Sequence, residues 1–175
     1  MLMRRFNSLS ILAVLMFFCL SSCYRKNEKY IIGLNQNIHH DDFEYSVTSY
    51  QRTAGLSDVS DNSSLATGTY YLVHFKVQNR AMRVNHQWDN SIAYIVDEAG
   101  TRFENAREDQ IILDKSLHFG WNDQYNTRSG TTDSTILVFK IPPEVQKPYL
   151  MVRGGILMGD VFDRARFRKM KVKLF

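Results

Sequence analysis

The densest run of chemistry-bearing side chains in this 175-residue sequence is His39-His40-Asp41-Asp42. Imidazole and carboxylate together suit zinc, nickel or copper. Neighbours on an extended chain point to opposite faces, so His39 can share an ion with Asp41, or His40 with Asp42. Two ligands fall short of a zinc site, which needs further help, from His86 or His118. The plainer alternative is a solvated start to the strand that opens at Phe43. For catalysis, His74 lies on an alternating strand, and pairs such as Glu104 and Asp109 have no fixed relation. There is no Gly-x-Ser-x-Gly elbow, no His-Glu-x-x-His and no Gly-rich phosphate loop. The reading is of a non-enzyme with no cofactor.

The two cysteines, Cys19 and Cys23, have three residues between them where a Cys-x-x-Cys redox pair has two, and no further Cys/His partners follow in order. Their context is more telling. Met1 to Asn7 carries Arg4 and Arg5, and an apolar run extends from Leu9 to Leu20. That is the layout of a secretory signal peptide, and it is shorter than the ~20 apolar residues of a spanning helix. Leu20-Ser21-Ser22-Cys23 resembles the bacterial lipobox. The resemblance implies diacylation of the Cys23 thiol, cleavage before Cys23 and acylation of the new amine. A plain cleaved signal that leaves a free thiol is the alternative. Residues 1–22 are then signal, 23–30 a lipidated tether and 31–175 the domain. The tether, "YRKNEKY", would hold the domain close to a membrane, with Arg25 and Lys26 near the headgroups. Tyr24 is not the Asp that retains some lipoproteins in the inner membrane, which favours the outer membrane in a Gram-negative host.

Removing Arg4 and Arg5 lowers the net charge from +4 to +2, near neutral, so no nucleic-acid partner is implied. A mature chain of about 153 residues, from a sequence 44% hydrophobic and 13% aromatic, can bury a real core without disulfides. Two polar stretches carry large aromatics: Trp88 in "NHQWDNS", and Trp121 with Tyr125 in "GWNDQYN". On loops at the end of a domain such rings would bind an envelope protein or polymer. Otherwise the tryptophans fold back to cap the core.

These residues need elements to position them, and apolar period two dominates the sequence. "FEYSVTSYQ" (43–51) alternates Phe43, Tyr45, Val47, Ser49. "TYYLVHFKVQN" (69–79) sets Tyr71, Val73, Phe75 and Val77 on one face. "SIAYIVDEAGTRFEN" (91–105) reads as a hairpin, with Gly100 supplying the positive φ of its turn. "STILVFKIPP" (134–143) stops at Pro142 and Pro143, and "PYLMVRGG" (148–155) follows. "RARFRKMKVKLF" (164–175) reads as a final strand. Its cations, Arg164, Arg166 and Arg168 then Lys169, Lys171 and Lys173, slip parity at 168/169, which suggests a bulge. Edge protection is the favoured reading of that cationic row, ahead of a face for phospholipid or an acidic partner. Within "ENAREDQIILDKSL" (104–117) at most a short helix is expected. Residues 52–68 and 120–130 read as long loops. Many short strands with few helices predict an all-β, immunoglobulin-like antiparallel β-sandwich in a single domain, with a closed barrel as the structural alternative.

The order of these motifs resembles the telokin-like, immunoglobulin-fold domain family of bacterial lipoproteins. The residues that carry the resemblance are Gly68-Thr69 through Asn79, Asp97 through Gly100 with Phe103, Gly130, and Val138-Phe139-Lys140-Ile141-Pro142. They span about residues 38–153, with Ser129-Gly130 where the family usually has Pro-Gly. The resemblance implies an extracytoplasmic, non-enzymatic module. The expected function is therefore a lipid-anchored, non-catalytic interaction module of the envelope. The alternative is a small-ligand or metal-binding lipoprotein that uses His39, His40, Asp41 and Asp42.

Overall fold

A computed structural model describes residues 30–56, 69–117, 124–153 and 165–175. The described residues lie mostly in antiparallel sheets. Strands β2 (Ile38–His40), β3 (Phe43–Thr53), β4 (Thr69–Asn79) and β9 (Thr132–Ile141) form a four-stranded sheet in the order β2-β3-β4-β9. Strands β1 (Ile31–Ile32), β6 (Ala93–Val96), β7 (Arg102–Phe103), β10 (Tyr149–Val152) and β11 (Lys171–Lys173) form the second sheet, in the order β1-β11-β10-β6-β7. A separate ribbon pairs β5 (His86–Asp89) with β8 (Gln124–Thr127). One helix, α1 (Arg107–Ser116), completes the set.

The alternation in β4 becomes the sandwich core. Tyr71, Val73, Phe75 and Val77 meet Leu137, Phe139 and Ile141 of β9, and Ala93, Ile95, Leu150, Val152 and Val172 of the other sheet. The opposite face of β4 is not simply wet. Tyr70 and Leu72 form a second cluster with Leu56, Leu113 and Val138, beneath α1. Asp97 closes the β6–β7 hairpin as expected: its Oδ1 accepts the Thr101 amide at 2.7 Å, and Gly100 holds φ 88°.

Several expected elements change. The β3–β4 register shifts between Val47 and Ser49, so Thr48 is an extra residue. That bulge reverses the parity of β3, turns Ser49 outward and brings Tyr50 to the core beside Tyr71. Residues 52–53 belong to β3, and 57–68 lie outside the described residues. Residues 86–89 and 124–127, read as loop, are short strands that pair only with each other. Helix α1 runs for 10 residues, longer than expected. The C-terminal stretch is not one strand. Residues 165–167 are helical, a turn follows, and β11 starts at Lys171. The turn puts Phe167 in the core, its ring centroid 4.4 Å from that of His40, so the parity slip at 168/169 is a turn and not a bulge. Strand β11 lies between β1 and β10, so its lysines do not guard a sheet edge.

The true edge at β9 is guarded by α1 and the residues before it. The Ala106 amide and the Asn105 side chain both donate to the Val138 carbonyl, at 2.8 and 3.0 Å. Gln110 then imitates a strand. Its Oε1 accepts the Val138 amide at 2.8 Å, and its Nε2 donates to the Ile136 carbonyl at 2.7 Å. The backbone groups that would invite another chain are thereby satisfied.

Strand β4 ends on a fully buried amide, Asn79. Its Nδ2 donates to the carbonyls of Val84 (2.7 Å) and Thr127 (3.0 Å), and its Oδ1 accepts the Ala81 amide (2.9 Å). Its own carbonyl accepts the amide of Gly130, which sits at φ 72°. Replacing Asn79 with Ala leaves two carbonyls and an amide buried without partners. We expect Asn79→Ala to lose about 2–4 kcal/mol of stability, read as a lower denaturation midpoint at unchanged slope in urea titration.

Candidate functional site

The His39–Asp42 run folds into a tight hairpin, which overturns the extended chain assumed for it. β2 ends at His40, β3 starts at Phe43 opposite it, and Asp41 takes φ 52° in the turn between them. His39 stays outside, with Nδ1 3.2 Å from Glu44 Oε1. Glu44 is buried beneath it. Its carboxylate also takes Arg80 Nε at 2.7 Å, Arg80 Nη2 at 2.9 Å and Asn37 Nδ2 at 2.7 Å. His40 goes the other way, into the core against Phe167, with Nδ1 3.6 Å from Asp41 Oδ2. The structure does bring His86 to this region. Its ring stacks on Phe43 at 4.1 Å, and its Nε2 is 2.9 Å from the Tyr45 hydroxyl. Among the described residues no group of three His, Cys, Asp or Glu side chains is placed to hold a metal. His118 lies outside them.

Burial, reinforced by the charge of His40, lowers the His86 pKa from 6.5 to about 4. The same burial, with Asp41 close by, holds the Tyr45 hydroxyl well above the usual tyrosine range.

The aromatic candidates separate as well. Trp88 is 7% exposed, so it does not present its indole to a partner as expected. It lies opposite Tyr125 in the β5–β8 ribbon, with the rings stacked at 4.0 Å. Its Nε1 donates to Thr127 Oγ1 at 2.8 Å, and that hydroxyl donates to Asp133 Oδ2 at 2.8 Å. The indole therefore plugs the end of the core, with its one polar atom satisfied. Tyr125 is half-buried, with its hydroxyl 2.8 Å from Thr135 Oγ1. Trp121 and Cys23 lie outside the described residues.

One side chain missed by sequence reasoning stands out. Gln110, Leu113 and Asp114 are the buried face of α1. Asp114 is 5% exposed. Its Oδ1 accepts from Gln110 Nε2 at 2.9 Å, while its Oδ2 is buried and has no hydrogen-bond partner among the described residues. It lies in the wall of a groove of about 500 Å³ lined by His74, Lys76, Tyr125, Ser134, Thr135 and Ile136. Burial raises its carboxyl pKa, and the Gln110 hydrogen bond only partly opposes that. Buried polar atoms in native proteins are nearly always paired, with protein or with water, so this carboxylate oxygen in a groove wall can still accept a donor. The sequence did carry a signal: an Asp beside Leu113 on the one helical stripe that also holds Ala106 and Leu117.

No family model matches this sequence, and no curated protein matches it. The likeness to the telokin-like family therefore rests on the motifs quoted above. Solved structures do resemble the fold. A conserved hypothetical protein from Bacillus anthracis aligns with TM-score 0.53 at 14% identity, over 69% of this chain and 88% of that one. The yjhA protein from Bacillus subtilis aligns with TM-score 0.51 at 10% identity, over 82% of this chain and 98% of that one. At such identities the likeness is one of fold, an all-β sandwich.

Two predictions test the site. His86 binds protons less readily folded than unfolded, so stability is lost as pH falls from 6.5 towards about 4 and then levels. Melting temperature against pH should show that decline, and His86→Gln should flatten it. Asp114 acts in the opposite sense: its raised pKa makes the ionised form costly to fold. Asp114→Leu should raise the melting temperature near neutral pH by a few degrees, the mark of a side chain held for something other than stability. An unchanged or lower melting temperature would make Asp114 a structural residue.

Proposed function

We propose that this protein is a lipid-anchored, extracytoplasmic component of the bacterial envelope that binds a partner and does not catalyse a reaction. The observation that carries the proposal is the lipobox-like Leu20-Ser21-Ser22-Cys23, followed within eight residues by β1 of a sandwich. What the described polar side chains do also supports it. Glu44 is occupied by Arg80, His39 and Asn37, His86 by Tyr45, and Asp133 by Thr127. Groups so engaged serve a scaffold rather than acid–base chemistry. No helix among the described residues is long and apolar enough to cross a membrane, so attachment would rest on the acyl chains. Two or more chains make a lasting anchor, where one holds only marginally.

The metal reading of His39, His40, Asp41 and Asp42 gains no support, because His39 is turned to Glu44 and His40 to the core. A small-ligand reading has a better place in the groove at Asp114. There the free Oδ2 would accept from an ammonium or amide N–H, against the apolar walls of Ile136 and Tyr125.

In a fractionated envelope, wild-type protein should be membrane-bound, processed and acylated, and Cys23→Ala should be unprocessed or soluble. A processed Cys23→Ala form that stays wholly with membranes would sink the lipid reading. Quantitative mass spectrometry of what co-purifies with the acylated protein tests for the partner. A near-stoichiometric companion absent from the Cys23→Ala control is the expected result.

A further inference from the structure

We propose that the outer face of the five-stranded sheet, around β11, lies flat on an anionic phospholipid surface. This rests on the lipid-anchor reading and deepens it by naming the side of the domain that meets the bilayer.

Three lysines stand over aromatic rings here: two of the rings, Tyr149 and Phe175, meet beside β11, while the third, Tyr30, also packs against the core. Lys169 Nζ sits 5.7 Å from the Tyr30 ring centroid, Lys171 Nζ 5.5 Å from that of Tyr149, and Lys173 Nζ 4.5 Å from that of Phe175. Tyr149 and Phe175 meet edge to face at 5.4 Å. Register fixes the arrangement: Lys171 pairs with Ile31 of β1, and Lys173 with Tyr149 of β10. Ile31 and Phe175 are 38% and 44% exposed.

Edge protection cannot explain Lys171 and Lys173, since β11 is flanked on both sides, and Lys169 lies in the turn before it. Internal pairing does not explain them either. Arg80, Arg102, Lys147 and Arg153 each have a carboxylate partner. Among the described residues none of Lys169, Lys171 and Lys173 has a carboxylate within ion-pair distance. Ammonium groups over tyrosine and phenylalanine rings, with no carboxylate partner among the described residues, match the headgroup zone of a bilayer. There phosphates meet the cations, and amphipathic rings sit between water and acyl chains.

The tether points the same way. Tyr30, the ring under Lys169, is seven positions after Cys23. Fully extended, that stretch spans about 25 Å, so this face begins within that distance of the acyl chains. Arg25, Lys26 and Lys29 on the tether, less Glu28, leave it with a net charge of the same sign. An acidic protein partner would match the charge, but the tether selects the membrane.

The test uses natively acylated full-length product in vesicles of phosphatidylcholine alone or with phosphatidylglycerol added. A membrane-impermeant amine reagent labels the lysines, and mass spectrometry reads each site. Lys76 of β4 and Lys140 of β9, on the other sheet, serve as internal controls. We expect Lys169, Lys171 and Lys173 to label about fivefold or more slowly in the anionic vesicles, with Lys76 and Lys140 unchanged, and the difference to vanish in high salt. Equal labelling in both vesicle types overturns the proposal, as does protection that appears only when envelope protein is added. If the protein fails to float with phosphatidylcholine vesicles, the acyl anchor is what fails. The face is then judged by sedimentation with anionic vesicles alone, where absence of salt-sensitive binding overturns it and loss of binding in K169Q/K171Q/K173Q supports it.

Discussion

The architecture depends on satisfying polar backbone at the place where β4 stops. Asn79 does this with one buried carboxamide. It takes the carbonyls of Val84 and of Thr127 at the end of β8 and the amide of Ala81, while its own carbonyl receives Gly130. Through Thr127 the network continues to the Trp88 indole and to Asp133 at the start of β9. The β5–β8 ribbon has little apolar area of its own, and a two-stranded hairpin alone is marginal in water. Its position follows from this polar network, from His86 on Phe43 and Tyr45, from the Tyr125 hydroxyl at Thr135 and from Trp88 in the core.

A second constraint sits at the β9 edge. An antiparallel edge with free amides and carbonyls is open to any passing strand, and the fold closes it with Asn105, Ala106 and Gln110 rather than with another strand. That solution commits one face of α1 to polar work. It also brings Asp114, one turn after Gln110, into a place where a carboxylate is half-satisfied. Burial there disfavours the ionised carboxylate, so the groove wall and the edge cap are built from one helix.

Much of the sandwich was legible because its long strands obey a period of two. β4 matches its sequence reading from Thr69 to Asn79, and β9 is overrun only at its start. The Asp97–Gly100 turn was legible because its chemistry is local. The failures have physical causes. Strands β5 and β8 are four residues each, mostly polar, and exist only through their partner, so no window of sequence could reveal them. The bulge at Thr48 inserts one residue into an otherwise regular strand, and only the register with β4 locates it. The C-terminal segment alternates in charge like a strand, yet Phe167 had a core position to fill and a helical turn delivered it. The site residues fared worse because pairing across space decides them. His86 meets Tyr45 from 41 positions away, and Trp88 is taken up by Thr127 from 39.

The parallel pairing of β1 with β11 orders events in time. β1 is the first strand of the sandwich, and the described residues give it no partner except the last one, by the register Ile31 to Lys171 and Ile32 to Val172. β11 in turn separates β1 from β10. During vectorial synthesis or export, the first strand must therefore wait, unpaired, until nearly the whole chain has emerged. A contact of such sequence separation forms late and carries a high loop-closure cost. A chain built this way can pair β2, β3, β4 and β9 early, but it completes its second sheet only after β11 has been made.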